Sequence, residues 1–247
     1  MNNLLTKSGW LAAGALGLAL SANADVLLNN TTTPLASRFS DGGTEFGNQI
    51  FLSNGGYITN FSFEYYGIGG GAGGAFVGPV TAEVRWYLNN GPLTLSGYAT
   101  PGTVLYDSGA VPITAPGSST HAATLDFSTS TGDFPTVPAG SGTNGWFVGT
   151  RSLTFTVQFA GMNTSAGDQV GVDLYSPPTV GQMYIDYWQN NGTAANPSWA
   201  FLEDAKGTPI DIGQEWMGTA VPEPSTLALS VVGGLGLLMA VRRFRSQ

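Results

Sequence analysis

The sequence lacks cysteine altogether and has one histidine, His121, among its 247 residues. Without cysteine there is no disulfide scaffold, thiolate zinc site, iron–sulfur cluster or cysteine nucleophile. A single histidine removes the commonest acid–base and metal-binding arrangements. Only 10% of the residues are charged, and lysine and arginine together number 8. Because a nucleic-acid backbone is held by clustered basic side chains, we predict no nucleic-acid partner. Because the cysteine and histidine arrangements named above are missing, we expect a non-catalytic protein.

Glycine and apolar side chains are what the chain has in quantity. It contains 36 glycines and 14 prolines, and its hydrophobic fraction is 42%. This composition is too apolar for a disordered chain and rich enough in turn formers to require many short elements. We therefore predict a packed globular body with frequent turns.

The N-terminus has the pattern of a secretory signal peptide. Lys7 precedes an uncharged apolar run over residues 10–20, and the small residues Ala22 and Ala24 follow it. A short positive region, an apolar stretch and small residues at the cleavage positions are typical of export signals. We predict that residues 1–24 are a signal peptide that signal peptidase removes after Ala24. The alternative is a retained N-terminal anchor.

The C-terminus carries three motifs in a fixed order. The sequence Pro222, Glu223, Pro224 is followed by an apolar stretch over residues 225–241 and then by basic residues, namely Arg242, Arg243 and Arg245. This arrangement resembles the PEP-CTERM sorting tail of bacterial exosortase substrates. The resemblance implies a protein that is held in the inner membrane by its tail, processed near Pro-Glu-Pro by an exosortase-type transpeptidase, and released to the cell surface or extracellular matrix.

Elementary physics gives the same interpretation of this tail, residues 221–247. Seventeen helical residues, 225–241, span roughly 26 Å, slightly less than the ~30 Å hydrocarbon core. The arginines after residue 241 favour a cytoplasmic end by the positive-inside rule. Proline at 222 and 224 stops the helix from extending backwards. We predict a transmembrane helix over 225–241, and a simple tail anchor remains the alternative.

The segment between the two ends, residues 25–220, is predicted to be one all-β domain. Apolar and polar residues alternate with the period of a half-buried strand in several short segments, and turn signals separate them. We predict an antiparallel two-sheet sandwich, jelly-roll-like, with Tyr57 beside Phe61 on a core face and with Arg85 and Tyr87 on a polar face. The predicted strands are 57–65, 81–88, 121–127, 152–159, 170–174 and 183–188.

A carbohydrate-binding surface is the best binding hypothesis that the sequence offers. Within 183–188, alternation places Tyr184, Asp186 and Trp188 on one strand face. Aromatic rings beside a carboxylate suit a sugar, whose C–H face stacks on a ring while its hydroxyls find acceptors. Exopolysaccharide is the expected ligand. The alternative is that both faces of this strand are buried.

No cofactor is predicted, although a calcium site stays open as a hypothesis because loop carboxylates are hard oxygen ligands. Asp168 with Asp173, or Glu203 with Asp204, would be its ligands.

A non-catalytic structural or adhesive role is the function that we predict for the β-sandwich, and two other functions remain as alternatives. An ice-binding face would need a Thr-x-Thr ladder, of which Thr154 with Thr156 is the clearest instance. A polysaccharide hydrolase would need a pair of carboxylates. The carboxylates available are Glu64, Glu83, Asp173, Asp186, Glu203, Asp204 and Glu215.

Overall fold

A computed structural model describes residues 25–116, 122–134, 145–203 and 207–220. Within these ranges, no helix has the length and hydropathy that a membrane crossing requires. The predicted signal peptide, the tail with its helix over 225–241, and His121 lie outside the described residues.

Fourteen β-strands make up nearly all the regular structure of the described residues. They are β1 (Asp25–Asn29), β2 (Pro34–Phe39), β3 (Glu45–Phe51), β4 (Gly56–Ile68), β5 (Thr81–Leu88), β6 (Val104–Pro112), β7 (Ala123–Ser128), β8 (Trp146–Val148), β9 (Ser152–Ala160), β10 (Gln169–Tyr175), β11 (Gln182–Met183), β12 (Tyr187–Asn190), β13 (Trp199–Leu202) and β14 (Gln214–Ala220). Two short 3-10 turns, Ala72–Gly74 and Thr164–Ala166, complete the regular elements of these ranges.

The strands form two sheets of seven strands each in the described part of the chain. Sheet A has the order β1-β14-β4-β10-β2. Two further strands of this sheet, β7 and β8, pair with β4 on the edge opposite to β14. Sheet B has the order β13-β12-β3-β9-β5-β6, and β11 pairs with β3. Strand pairing is antiparallel throughout. The predicted all-β two-sheet sandwich is confirmed, and its jelly-roll-like detail stays a prediction.

The core lies between the two sheets and is rich in aromatic rings. Phe61 and Trp216 come from sheet A, and Trp86 and Phe155 come from sheet B. The ring centroids of Trp216 lie 4.6 Å from both Phe61 and Trp86. All four side chains are fully buried, and burying a phenylalanine side chain contributes roughly 1.5–3 kcal/mol. Alternation in the sequence identified the core faces of β5 and β9 correctly.

A β-bulge reverses the facing of the first residues of β4. The register with β14 passes from Met217 opposite Asn60 to Gly218 opposite Ile58 and so skips Thr59. An extra residue in one strand shifts every side chain beyond it to the other face. Ile58 is therefore buried in the core, and the prediction that Tyr57 shares the core face with Phe61 is wrong.

The outer face of sheet B is covered at Arg85 and Tyr87, so the prediction that these two residues lie on a half-exposed face of β5 is wrong. Arg85 is 5% exposed and Tyr87 is 3% exposed. The ring of Trp199 on β13 lies 5.3 Å from the ring of Tyr87, although β12, β3 and β9 separate their strands. Trp199 of the edge strand β13 thus packs over the outer face at Tyr87.

The buried polar groups of this face are paired in a network of hydrogen bonds and an ion pair around Glu45. The Glu45 carboxylate accepts hydrogen bonds from the hydroxyls of Tyr87 (2.8 Å) and Thr156 (2.7 Å) and from Nδ2 of Asn190 (3.0 Å). Nη1 of Arg85 lies 3.4 Å from the same carboxylate. Because buried polar groups are costly unless they are paired, this network makes the covered face tolerable.

The predicted strand 183–188 is divided in the structure into β11 and β12. Residues 184–186 belong to neither strand. The buried side chain of Asn48 on β3 holds residues 210–212 in place. Its Nδ2 donates to the carbonyl of Ile210 (2.5 Å), and its Oδ1 accepts from the amide of Ile212 (3.0 Å). The amide of Ile210 in turn donates to the carbonyl of Ile185 (2.9 Å). The ladder with β3 is therefore interrupted between Met183 and Trp188.

Candidate functional site

The structure buries one of the three residues of the predicted sugar-binding face and leaves the other two half-buried. Trp188 on β12 is 0% exposed, and its ring lies 4.8 Å from that of Phe201. Tyr184 and Asp186 lie in the segment between β11 and β12, and both are half-buried. An indole without exposed surface cannot stack on a sugar. The prediction that Trp188 lies on an exposed face is therefore wrong, because Phe201 on the neighbouring strand β13 packs against its ring.

Tyr184 belongs to an aromatic cluster that includes Phe201, the ring that packs on Trp188. The ring of Tyr98 lies 4.7 Å from Phe201 and 6.1 Å from Tyr184, and Tyr184 lies 6.4 Å from Phe201. Tyr98 is 38% exposed, and the other two rings are half-buried. We call Tyr98, Tyr184 and Phe201 the Tyr184 surface. Such edge-to-face and tilted pairs leave ring faces and edges open to a ligand.

Three distant segments position these rings. The amide of Tyr184 donates to the carbonyl of Gln49 on β3 (3.1 Å). Phe201 lies opposite Trp188 in the β12–β13 ladder, so the buried indole supports it. Tyr98 follows a turn in which Gly97 has a φ of +85° and the amide of Thr94 donates to the Tyr98 carbonyl (2.8 Å). The sequence analysis missed Tyr98 and Phe201, because no local pattern links them to Tyr184.

An acidic pocket adjoins the Tyr184 surface. Asp186 follows Tyr184 by two residues, and Glu203 follows Phe201 by two residues. Both carboxylates line a pocket of about 300 Å³, together with Ile185, Gly207, Thr208 and Pro209. Burial, with the charge of Glu203, raises the pKa of Asp186. The pocket offers hydrogen-bond acceptors next to the rings.

A further carboxylate, Asp211, lies close to Asp186 and was missed by the sequence analysis. It is 1% exposed, and neither of its oxygens accepts a hydrogen bond of good geometry within the described residues. Burial raises the pKa of Asp211 to about 6; the Ser176 hydroxyl opposes the shift, and the charge of Asp186 adds to it. An acid with this pKa is mostly protonated only below about pH 6.

The carboxylate of Asp168, a candidate calcium ligand, is occupied by backbone donors. It accepts hydrogen bonds from the amides of Gly70 (3.1 Å), Val77 (3.0 Å), Gly78 (2.8 Å) and Asn163 (3.0 Å). Burial opposes ionisation, but these amides outweigh it and lower the pKa of Asp168 to about 2. Asp168 therefore fixes the glycine-rich loop 69–78 and presents no free oxygen to a cation.

The other candidate calcium ligands are not brought together by the structure. Asp173 pairs with Nε of Arg38 at 3.0 Å, and Asp204 lies outside the described residues. The ranges that the structure describes contain no group of three or more potential metal ligands. A bound calcium ion stays a prediction, and Asp168 gives it no support.

Sheet A carries a groove of about 580 Å³ on its outer face. Arg38, Asp173 and Tyr175 are among the residues that line it. The hydroxyl of Tyr175 donates to Glu64, a neighbouring carboxylate on β4. Burial raises the pKa of Glu64; the Tyr175 hydrogen bond opposes this, and the charge of Asp173 adds to it. Glu64 thus lies near Asp173, a carboxylate that lines the groove.

The Thr-x-Thr motif of the ice-binding alternative is not on the surface. Thr154 and Thr156 are both 0% exposed. Thr154 donates to Oδ1 of Asn89 (2.6 Å), and Thr156 donates to Glu45. Both hydroxyls are used inside the protein, so these two residues do not form an ice-facing ladder.

Comparison with known proteins bears on the C-terminus. Residues 220–243 match the family model of the PEP-CTERM protein-sorting motif. The chain carries a PEP-CTERM sorting motif. The match includes Pro222, Glu223 and Pro224, and it implies an exported protein that is targeted through the membrane to the cell surface, with an exosortase as its processing partner. No curated protein and no solved structure matches the chain.

Proposed function

We propose that this exported, exosortase-targeted protein is a non-catalytic surface or matrix component whose sandwich, residues 25–220, binds neutral extracellular polysaccharide. In this proposal the apolar stretch 225–241 anchors the unprocessed chain in the inner membrane. The observation that carries the binding proposal is the Tyr184 surface, where three accessible rings adjoin a pocket with two carboxylates.

The chemistry of the surface suits a sugar chain. Pyranose rings present apolar C–H faces that stack on aromatic side chains, and their hydroxyls donate to carboxylates. Asp186 and Glu203 supply acceptors beside Tyr184 and Phe201. A ligand that spans the rings and the pocket would therefore use both kinds of contact.

The charge of the domain favours a neutral ligand over an anionic one. Residues 25–220 contain fifteen acidic and four basic side chains, which gives a net charge of −11. Such a surface repels anionic polymers at low ionic strength. Neutral hexose polymers escape this repulsion.

Affinity electrophoresis of the domain in gels that contain neutral or anionic polysaccharide tests the proposal. We expect retention by a neutral polymer and its reduction in Tyr98→Ala and Tyr184→Ala. Each lost stacking contact costs about 1 kcal/mol, or roughly fivefold in affinity. Phe147→Ala, which removes an exposed ring from sheet A, is the matched control and should be retained like the parent protein.

Retention that is equal for all variants, or absent for every polymer tested, would contradict the binding proposal. Preferential retention by anionic polymers without divalent cations would contradict its neutral specificity.

A second candidate function, polysaccharide hydrolysis, is favoured by one observation. Glu64, with its raised pKa, lies near the carboxylate of Asp173 in the groove of sheet A. Glycoside hydrolysis uses one carboxyl as an acid and another as a base or nucleophile. Release of reducing ends by the parent protein, abolished in both Glu64→Gln and Asp173→Asn, would establish hydrolysis; no release from any polymer leaves the non-catalytic proposal standing.

The sorting proposal has its own test in cells. Glu223→Ala should leave the full chain in the membrane fraction, as should deletion of the exosortase. A chain truncated after Ala220 should be found in the periplasm or medium. Identical fractionation of the full and truncated chains would contradict anchoring by the tail.

A further inference from the structure

Both ends of the described domain lie at the same end of sheet A. β1 begins at Asp25, which is paired with Gly218 of β14. β14 ends at Ala220, which is paired with Gly56 at the start of β4. The predicted new N-terminus and the sorting tail therefore leave the sandwich side by side.

The sheet holds the exit point of the tail in place. β14 lies between β1 and β4, and its Trp216 is fully buried in the core. Glu223 comes three residues after Ala220, so at ~3.3 Å per residue it lies within about 10 Å of the last paired residue. Any enzyme that binds Pro222, Glu223 and Pro224 must come close to this end of sheet A.

An exposed aromatic pair lies beside that exit. Phe147 on β8, Tyr57 on β4 and Thr219 on β14 form one cross-strand row, next to the final row. Side chains in register share one face, and the buried Ile58 shows that this row faces outward. Phe147 is 54% exposed, and its ring lies 5.0 Å from that of Tyr57. The bulge at Thr59 is what turns Tyr57 outward.

We propose that the Tyr57–Phe147 pair is the surface on which the processing membrane enzyme docks while it holds the Pro-Glu-Pro motif. This inference rests on the proposed sorting function. The enzyme is favoured over the lipid surface as the partner for two reasons. It must approach the pair to reach Glu223, and a domain of net charge −11 is repelled by an anionic leaflet. An apolar patch of the enzyme that faces the exported side would fit the two rings.

Pulse-chase labelling of the full chain in exosortase-bearing cells tests the proposal. Phe147→Ser and Tyr57→Ser should slow tail removal at least about fivefold, as expected for loss of an aromatic contact in an interface. Leu95→Ser is the matched control because Leu95 is fully exposed at a turn far along the chain from this row, and its processing should stay at the parent rate. Thermal unfolding of each variant checks that the fold is retained.

Two further variants separate this inference from the sorting proposal. Glu223→Ala should block processing; if it does not, the sorting proposal itself fails. If Glu223→Ala blocks processing but both serine variants are processed at the parent rate, docking at the pair is overturned and sorting stands.

Insertion of four Gly-Ser residues between Ala220 and Val221 separates docking from steric hindrance. Docking at a fixed distance predicts slower processing, whereas faster processing would mean that the domain only obstructs the enzyme, which overturns the proposal.

Flotation of the full chain with vesicles of phosphatidylethanolamine and phosphatidylglycerol tests the lipid alternative. Equal binding of the parent and Phe147→Ser chains supports the enzyme as partner; weaker binding by Phe147→Ser overturns it.

Discussion

Three buried carboxylates differ in the donors around them rather than in their burial. Glu45, Asp168 and Asp211 are 3%, 1% and 1% exposed. Glu45 accepts from side chains of three strands, and Asp168 accepts from four backbone amides. Asp211 has no such donors among the described residues. A desolvated charge is stabilised only by its partners. Asp168, which has such partners, is therefore expected to stabilise the fold when ionised, and Asp211 is expected to destabilise it.

Asp211 is expected to destabilise the fold at neutral pH. Its pKa is raised from 3.8 to about 6, so the unfolded chain ionises first and stability falls as the pH rises from about 4 to about 6. Asp211→Asn should therefore stabilise the domain at pH 7 by up to about 3 kcal/mol. Urea unfolding at pH 4 and pH 7 measures this gain, which should vanish at pH 4. Asp126→Asn, at an exposed site, is the control, and an equal gain there would contradict the prediction.

Asp168 is expected to act in the opposite direction. Its pKa is lowered to about 2, so its contribution is complete above pH 4 and is lost as the pH falls through about 2. Asp168→Ala leaves four amides without an acceptor and should lower the melting temperature and speed hydrogen exchange in the loop 69–78. Unchanged exchange in that loop would show that other contacts hold it.

At the scale of single elements, β3 is packed so closely against β9 that it requires a glycine. A Cβ atom at Gly47 would lie 1.8 Å from the carbonyl oxygen of Phe155 on β9. Gly47→Ala should therefore separate the two strands and cost about 3 kcal/mol or more, as severe overpacking does. Chemical denaturation measures the loss. Gly42→Asn is the control, since its φ of +62° suits asparagine and nothing lies within 4 Å; equal losses would contradict the packing argument.

On β12, Trp188 supports the Tyr184 surface rather than binding a ligand itself. Trp188→Ala should cost ~3 to 5 kcal/mol, the usual loss for a buried tryptophan. Tyr184→Ala, at a half-buried ring, should cost much less while it weakens polysaccharide retention. Thermal or urea unfolding of both variants provides the comparison. A near-neutral Trp188→Ala would mean that the indole is not part of the packed layer.

At the scale of the whole domain, the first and last strands of the described residues, β1 and β14, pair with each other in sheet A. β14, the last strand, lies between β1, the first strand, and β4. A chain of residues 25–220 should therefore unfold in one cooperative transition, whereas residues 25–213 lack Trp216 and the central pairing and should not fold. Circular dichroism and calorimetry on both chains test this. Cooperative unfolding of the shorter chain would show that the core does not depend on β14.

The sequence by itself determined those features that depend only on neighbouring residues. The sorting motif around Glu223 depends on the order of neighbouring residues, so it could be identified without a fold. The all-β class and strands such as β5 follow from period-2 alternation, which is a local property of the backbone.

Only the tertiary structure decided which faces are covered and which side chains meet. Alternation says that side chains face opposite ways, but it does not say whether β13 covers the outer face at Tyr87. It also cannot reveal the bulge at Thr59 that turns Tyr57 outward, or the packing of Phe201 that buries Trp188. The Tyr184 surface joins residues 98, 184 and 201 through contacts that are distant in sequence. Such contacts depend on the packing of the whole chain, and no short stretch of sequence specifies them.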